Sequence, residues 1–378
     1  MHHPAIESLP QFIRRHGLAP RPGCMREYNP AIAELGGKLV MAWRIQDERG
    51  LSRIVLAPLS RKHEPGKPVA LVIPDLPRST HVEDPRLIVI DGELIVFVAT
   101  VHYGATFTFT QRAFVLGAGF AIERELPMPY GKNGSGSNEK NWMPYVRGDG
   151  TLGLVYQVAP ELVLIDTSTG KTTKGPGIKR WRWGTVSGRT NAVALGDGRY
   201  LAIIGGHHEH VQRMSEYWAG AIIFTEGPEA QITAVSREPI LWASGDSPAL
   251  LNPMDPRWNP LCIFPAGLVQ RGDELLVSAG VNDSYCALLR FSLAEIMAGL
   301  VPPSELNGDE RLLANPASPV THGAVRVRSL SKQWLGEKGG PYKLGDVWDT
   351  TEDRAAALGP KVVEVIGESR ATEGSFTR

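Results

Sequence analysis

One pattern recurs along this chain and limits what it can fold into. It is a polar or proline-bearing lead-in, a short apolar run, a Gly/Asp turn and a second apolar run. The first copy is Asn29-Pro30-Ala31-Ile32 with Gly36-Gly37 and residues 39–44, and the second is Glu83-Asp84-Pro85-Arg86 with Asp91-Gly92 and residues 94–100. The third joins residues 139–144 to Asp149-Gly150 and 152–156, and the fourth joins 187–193 to Asp197-Gly198 and 200–204. The fifth joins 264–268 to Gly272-Asp273 and 275–280. An Asp-Gly or Gly-Gly pair between apolar, β-branched runs signals a hairpin. A further apolar run follows each copy, at 54–57, 113–116, 162–165, 221–224 and 287–291. Hairpins repeated at spacings of roughly fifty to eighty residues predict the blades of a β-propeller. A lone twisted sheet cannot bury both faces, whereas sheets packed radially can.

The expected fold is all-β: a five-bladed β-propeller over residues 28–300. A short leader at 1–27 with one amphipathic helix precedes it. A linker at 301–320, a small α+β module at 321–369 and a disordered tail at 370–378 follow. Helical periodicity is almost absent before residues 293–300. In the module, residues 324–328 and 362–366 read as strands and 352–358 as a short helix, a surface for a partner or for self-association.

The 378 residues are 42% hydrophobic, enough for a large core, and carry 40 basic and 40 acidic side chains. A balanced chain has no electrostatic footprint for nucleic acid or an anionic membrane. Cys24, Cys262 and Cys286 are few, odd in number and far apart, which fits a reducing compartment. The first residues lack the apolar core of a signal peptide, and no apolar run reaches spanning length. The expectation is a cytoplasmic protein.

In a propeller, equivalent lead-ins converge on one mouth of the central channel. Asn29, Glu83, Asp84, Arg86, Lys140, Asn141 and Arg189 are therefore expected around one funnel. Arg44, His102, His207 and Asp283, at the ends of second strands, are expected near its rim. The proline inside Glu83–Arg86 excludes a helix and predicts an extended lead-in. Strand alternation would then send Glu83 and Asp84 to opposite sides. If both faced the cavity, each would raise the other's pKa and help Asp84 hold a proton.

Several of these pieces together resemble glycoside hydrolase family 130, the five-bladed mannoside phosphorylases and their relatives. They are Tyr28-Asn29-Pro30, Glu83-Asp84-Pro85-Arg86, Lys140-Asn141-Trp142-Met143-Pro144 and the region from His207 and His208 to Tyr217. Phe264-Pro265-Ala266-Gly267 and Gly280-Val281-Asn282-Asp283 add to them, so the likeness spans about residues 28 to 300. The resemblance implies inverting transfer at a β-mannoside, with Asp84 as general acid and inorganic phosphate as co-substrate. It implies phosphate contacts from Arg112, Lys140, His207, His208 and Tyr217. Asn29, Arg44, Glu83, Arg86, Asn141, Arg189 and Asp283 would bind the oligosaccharide, and no metal or other cofactor is implied. The lead-ins at 187–191 and 139–142 depart from the phosphorylase pattern and are similar to an outlying branch with mannosyltransferase-like relatives.

Physical chemistry gives the same chemistry a rationale. An anionic nucleophile needs cations to position it rather than a carboxylate base. Hydrolysis would instead need a water-activating carboxylate, for which Glu83, Glu139 and Asp283 are candidates. Transfer from a nucleotide sugar and a non-catalytic carbohydrate-binding propeller are the other readings. Trp142, Trp181, Trp183 and Trp218 could stack on sugars or fill the core, with Trp181 and Trp183 the better binding candidates. Residues 131–137 read as a flexible loop near the rim, and Cys262 and Cys286 as core residues.

Overall fold

The computed structural model describes residues 24–307, apart from 48–49, 78, 104–106, 130–138, 210–214, 243–261 and 284, together with three later strands. The leader helix, the 131–137 loop, the 352–358 helix and the tail lie outside the described residues. No helix among the described residues is long and apolar enough to cross a membrane.

Among the described residues up to 307, five antiparallel sheets follow one another. The first holds β1 (Cys24–Leu35), β2 (Lys38–Asp47), β3 (Ser52–Pro58) and β4 (Val69–Ala70) in that order. The second holds β5 (His81–Ile90), β6 (Glu93–Tyr103), β7 (Phe107–Leu116) and β8 (Ile122–Leu126). The third holds β9 (Met143–Val146), β10 (Leu152–Gln157), β11 (Glu161–Asp166) and β12 (Thr172–Pro176). Each steps outward strand by strand, as hairpin-linked neighbours do. Asp91, Asp197 and Gly272 adopt positive φ at the hairpin turns, as such turns require.

The fourth sheet differs. Its first strand is split into β13 (Thr185–Gly188) and β14 (Val193–Gly196), which pair with the two halves of β15 (Arg199–Glu209). Between the halves, Thr190 N donates to Ile203 O and Thr190 Oγ1 accepts from Ile203 N, while Asn191 reaches across to the fifth sheet. Its amide donates to Leu268 O at 2.8 Å and its oxygen accepts from Leu268 N at 2.9 Å, tying this sheet to the fifth. Outward of β15 come β16 (Ser215–Thr225), β17 (Ile232–Ser236) and β18 (Leu241–Trp242). The fifth sheet is β19 (Ile263–Arg271), β20 (Glu274–Val281) and β21 (Tyr285–Ser292).

The helical period expected at 293–300 yields only α1 (Leu293–Ala298), capped by Ser292 Oγ. The chain then returns to the fourth sheet as β22 (Leu300–Val301), paired with β17, and α2 (Pro303–Asn307) brings Leu306 into the core. Further on, β23 (Ala324–Ser329), β24 (Val347–Thr351) and β25 (Val363–Glu368) form a separate sheet with β23 in the middle.

The arrangement of the five sheets is propeller-like. β1 packs against both β5 and β19, β5 against β9, and β10 against β13. The last sheet thus returns to the first. Apolar side chains fill the wedges between neighbours. Tyr145, Trp181, Trp183, Tyr200 and Phe224 are buried where the third sheet meets the fourth. Trp43, Leu276 and Leu288 are buried where the first meets the fifth. Cys262 and Cys286 are buried.

Candidate functional site

Two β-bulges build the site. In β1 the pairing with β2 slips between Tyr28 and Ala31, and in β5 the pairing with β6 slips between Glu83 and Arg86. Each slip falls on an Asx-Pro pair, Asn29-Pro30 or Asp84-Pro85. Proline has no N–H to give a ladder, so it is tolerated at a bulge. The residue before it then takes a left-handed backbone, φ 50° at Asn29 and φ 49° at Asp84. Such backbone is costly for a residue with a side chain and is held only where neighbours over-determine it. Asn141 at the third lead-in shares it, with φ 65°.

This corrects the expectation of an extended Glu83–Arg86 with alternating side chains. A bulge adds a residue and resets the parity of the strand. Glu83 and Asp84 consequently reach the same cation: Arg44 Nη2 lies 2.6 Å from Glu83 Oε1, and Arg44 Nη1 lies 3.6 Å from Asp84 Oδ1. Arg44 is oriented by Ser52 Oγ at 2.9 Å and lies 4.7 Å over the Tyr28 ring. Asn29 Nδ2 donates to Asp84 Oδ1 at 2.8 Å. Ser52 is a part of the site that motif reading missed, and Tyr28 belongs to a motif that gave it no role.

The two carboxyls are not equivalent. Burial pushes Glu83 above the ordinary range, and the Arg44 charge offsets only part of that. Burial also acts on Asp84, but Arg44, Arg86, the Asn29 hydrogen bond and Lys140 outweigh it and hold its carboxyl below the usual value. The elevation expected if both carboxyls faced the cavity acts on Glu83 but does not prevail at Asp84. It is an ionised carboxylate with a side chain 18% exposed, ringed by cations.

Lys140 completes the ring from the third lead-in. Its ammonium sits 3.7 Å over the Phe109 ring, and burial lowers its pKa while Asp84 and Glu83 act in the opposite sense. Among the described residues it has no ion-pair partner. His207 and Tyr217 are cross-strand neighbours on β15 and β16, with rings stacked at 4.5 Å. Asp283 carries φ 47°, its carbonyl accepts from Arg26 Nη1 at 3.5 Å, and its charge is felt by Glu83 and Arg44. The side chains of His102 and His208 lie outside the described residues.

Arg86 and Arg189, expected to touch substrate, lie beneath this layer. They are 1% and 2% exposed, too enclosed for direct contact with a ligand. Each turns back onto its own lead-in: Arg86 donates to Asp84 O and Pro85 O at 3.1 and 2.8 Å, and Arg189 donates to Ser187 Oγ and Gly188 O at 2.6 and 3.0 Å. Both guanidiniums lie against the Phe264 ring, at 5.2 and 4.6 Å. Burial lowers both, Arg86 to about 9, where the Asp84 charge opposes the shift and the Arg189 charge adds to it. They form the floor of the site. Asn141 is held here too, its carbonyl packed against Gly188 where a Cβ would clash.

Other expected residues are placed elsewhere. β7 is the third strand out from the ring centre, and Arg112 on it is held by both oxygens of Glu125 on β8, at 2.7 and 2.6 Å. Trp181 and Trp183 are buried and donate to Ser236 O at 2.8 Å and Arg237 O at 3.3 Å, so they serve the core rather than a sugar. Trp142 and Trp218 are likewise buried. Glu139 is buried with both oxygens accepting from Tyr156 OH, at 3.0 and 2.8 Å.

Solved structures with the same fold include a β-1,2-mannobiose phosphorylase from Listeria innocua, in complex with β-1,2-mannobiose. It matches with a TM-score of 0.56 at 14% identity, over 74% of this chain and 94% of its own. A glycosyl hydrolase from Bacteroides ovatus matches with a TM-score of 0.51 at 14% identity, over 71% of this chain and 84% of its own. At that identity the likeness establishes the fold. No protein-family model and no curated protein matches the sequence.

Proposed function

We propose that this chain is a five-bladed propeller enzyme that cleaves and forms a β-mannosidic bond by inverting phosphorolysis. The observation that carries this reading is the partnering of Asp84. One reachable carboxylate faces Arg44 and Lys140, brought by separate sheets, while Glu83 beside it is bound to Arg44 and the Asp283 charge acts on both Glu83 and Arg44. Such a site is rich in cations for an anionic nucleophile and poor in free carboxylates to activate water. Glu83 is engaged by Arg44 and Glu139 by Tyr156, which weighs against both as the base of a hydrolase.

Lys140 and Arg44 hold phosphate on the face of the sugar opposite the leaving group, with His207 and Tyr217 at the rim. A phosphate oxygen bonds to the anomeric carbon as the glycosidic C–O bond breaks. The electron pair of that bond stays on the leaving oxygen, which receives the proton of Asp84, directly or through a sugar hydroxyl. The products are α-mannose 1-phosphate and a shortened sugar, and Asp84 is left as a carboxylate. The likeness of fold to the Listeria phosphorylase supports the substrate class.

The test is the reverse reaction. Incubation with α-mannose 1-phosphate and a panel of sugar acceptors should release phosphate, and Asp84→Asn should abolish the release. Release of mannose from β-mannobiosides in phosphate-free buffer would replace this reading with hydrolysis.

A further inference from the structure

The acid proposed above faces a difficulty: its surroundings favour the form that has no proton to give. Asp84 Oδ1 accepts from Asn29 on β1 and faces Arg44 on β2. Arg86 on its own strand, Lys140 ahead of β9 and Arg189 after β13 add positive charge. On the negative side stand Glu83 beside it and Asp283 after β20, with the neutral Tyr28 on β1 and the Cys262 thiol ahead of β19. His81 on β5 lies beyond Glu83, with Nδ1 at 3.9 Å. The carboxylate of Asp84 is therefore part of what balances Arg44 and Lys140 in the free protein.

We infer that an oxyanion bound at Arg44 and Lys140 takes over this balancing role, so that anion binding and protonation of Asp84 are linked. The inference rests on the phosphorolytic reading. A dianion beside Lys140 neutralises the cations that hold Asp84 ionised and adds a like charge near it, and both effects favour the protonated acid. Linkage is reciprocal, so a proton on Asp84 must tighten anion binding by the same factor. The nucleophile would then arm its own acid. Asp84 takes a proton from solvent as phosphate binds, and the leaving oxygen later receives it. Without the anion, Asp84 stays ionised and water is not handed an active acid.

Calorimetric titration of the full chain with sulfate tests this, because sulfate does not titrate between pH 5 and 7. Buffers of different ionisation enthalpy report the protons taken up. The expected result is uptake approaching about one proton per sulfate, with the Kd tightening by up to about tenfold per pH unit as pH falls through the window between the free and bound pKa values. In Asp84→Asn, sulfate should bind at pH 7 at least as tightly as in the wild type, without that uptake. His207→Asn should keep it. Sulfate binding with no proton uptake overturns the inference and leaves phosphorolysis standing. Uptake that persists in Asp84→Asn and disappears in His207→Asn assigns the proton to the imidazole and also overturns it. Failure of both sulfate and phosphate to bind removes the phosphorolytic reading itself.

Discussion

The side-chain amide of Asn29 donates a 2.8 Å hydrogen bond to Asp84 Oδ1, joining the first sheet to the second at matching bulges. Each residue has a left-handed backbone ahead of a proline, so each bulge presents its side chain to the other. The bond depends on a third position. Gly280 on β20 stands directly against Asn29, and a Cβ there would collide with Asn29 Oδ1.

Gly280→Ala should therefore displace Asn29 from Asp84. Overpacking at such a contact costs about 1–3 kcal/mol. Urea denaturation should show that loss. Turnover should fall further than the stability change accounts for, because Asp84 loses its oriented donor.

Arg44 bridges the buried Glu83 and the partly exposed Asp84, and removing one partner of a buried ion pair costs about 3–5 kcal/mol. Arg44→Met should lose stability on that scale at pH 7. Without the guanidinium, the folded pKa of Glu83 rises further above its unfolded value, and Asp84 loses the largest charge that holds it down. The Glu83 contribution is then present at low pH and lost as pH rises through its folded pKa. In the wild type Asp84 is depressed, and its contribution is lost as pH falls through its folded pKa. The stability gap between variant and wild type should narrow as denaturation is measured from pH 7 down to pH 4.5.

How much of this was legible in the chain can be argued from the same residues. The hairpins were, because Asp91-Gly92 and its counterparts are local signals. The convergence of Asn29, Asp84 and Lys140 was also readable, because repeated lead-ins imply equivalent places on a ring. The bulge at Asp84-Pro85 was not, because alternation assumes a regular pleat and one inserted residue inverts it. Its only trace is an Asx-Pro pair inside a strand, seen twice. Trp181 and Trp183 misled because a tryptophan that stacks on sugar and one that fills a wedge look alike in sequence. The bond from Trp181 to Ser236 O joins residues 55 positions apart, which no local pattern encodes. Arg112 was placed by neighbourhood alone, and its partner Glu125 lies one strand further out.

Lys140 is a cation above the Arg86–Arg189 floor with no carboxylate ion pair among the described residues, so it is available to an incoming anion. A charged hydrogen bond is worth about 1.5–3 kcal/mol, or about 10–100-fold in affinity. Lys140→Met should raise the KM for phosphate on that scale and change kcat at saturating phosphate less. Initial-rate kinetics with phosphate varied at fixed sugar separates the two effects.

His81 is held neutral: burial, with the Arg44 and Arg53 charges, lowers its pKa to about 4. The unfolded chain binds this proton more readily, so the stability it supports is present above pH 6.5 and declines as pH falls toward 4. The slope from one such group is at most about 1.4 kcal/mol per pH unit, less for a partly solvated side chain. His81→Gln should flatten the stability profile between pH 6.5 and 4 by a fraction of that amount, as read by urea denaturation.

The central claim is that Asp84 delivers the proton while phosphate attacks. ³¹P NMR of the full chain with β-mannobiosides and inorganic phosphate follows both at once. The account predicts that α-mannose 1-phosphate accumulates with the wild type and that Asp84→Asn forms it about 10²–10⁴-fold more slowly, with the fold intact. Free mannose without any sugar phosphate, or equal rates in the two proteins, would contradict it.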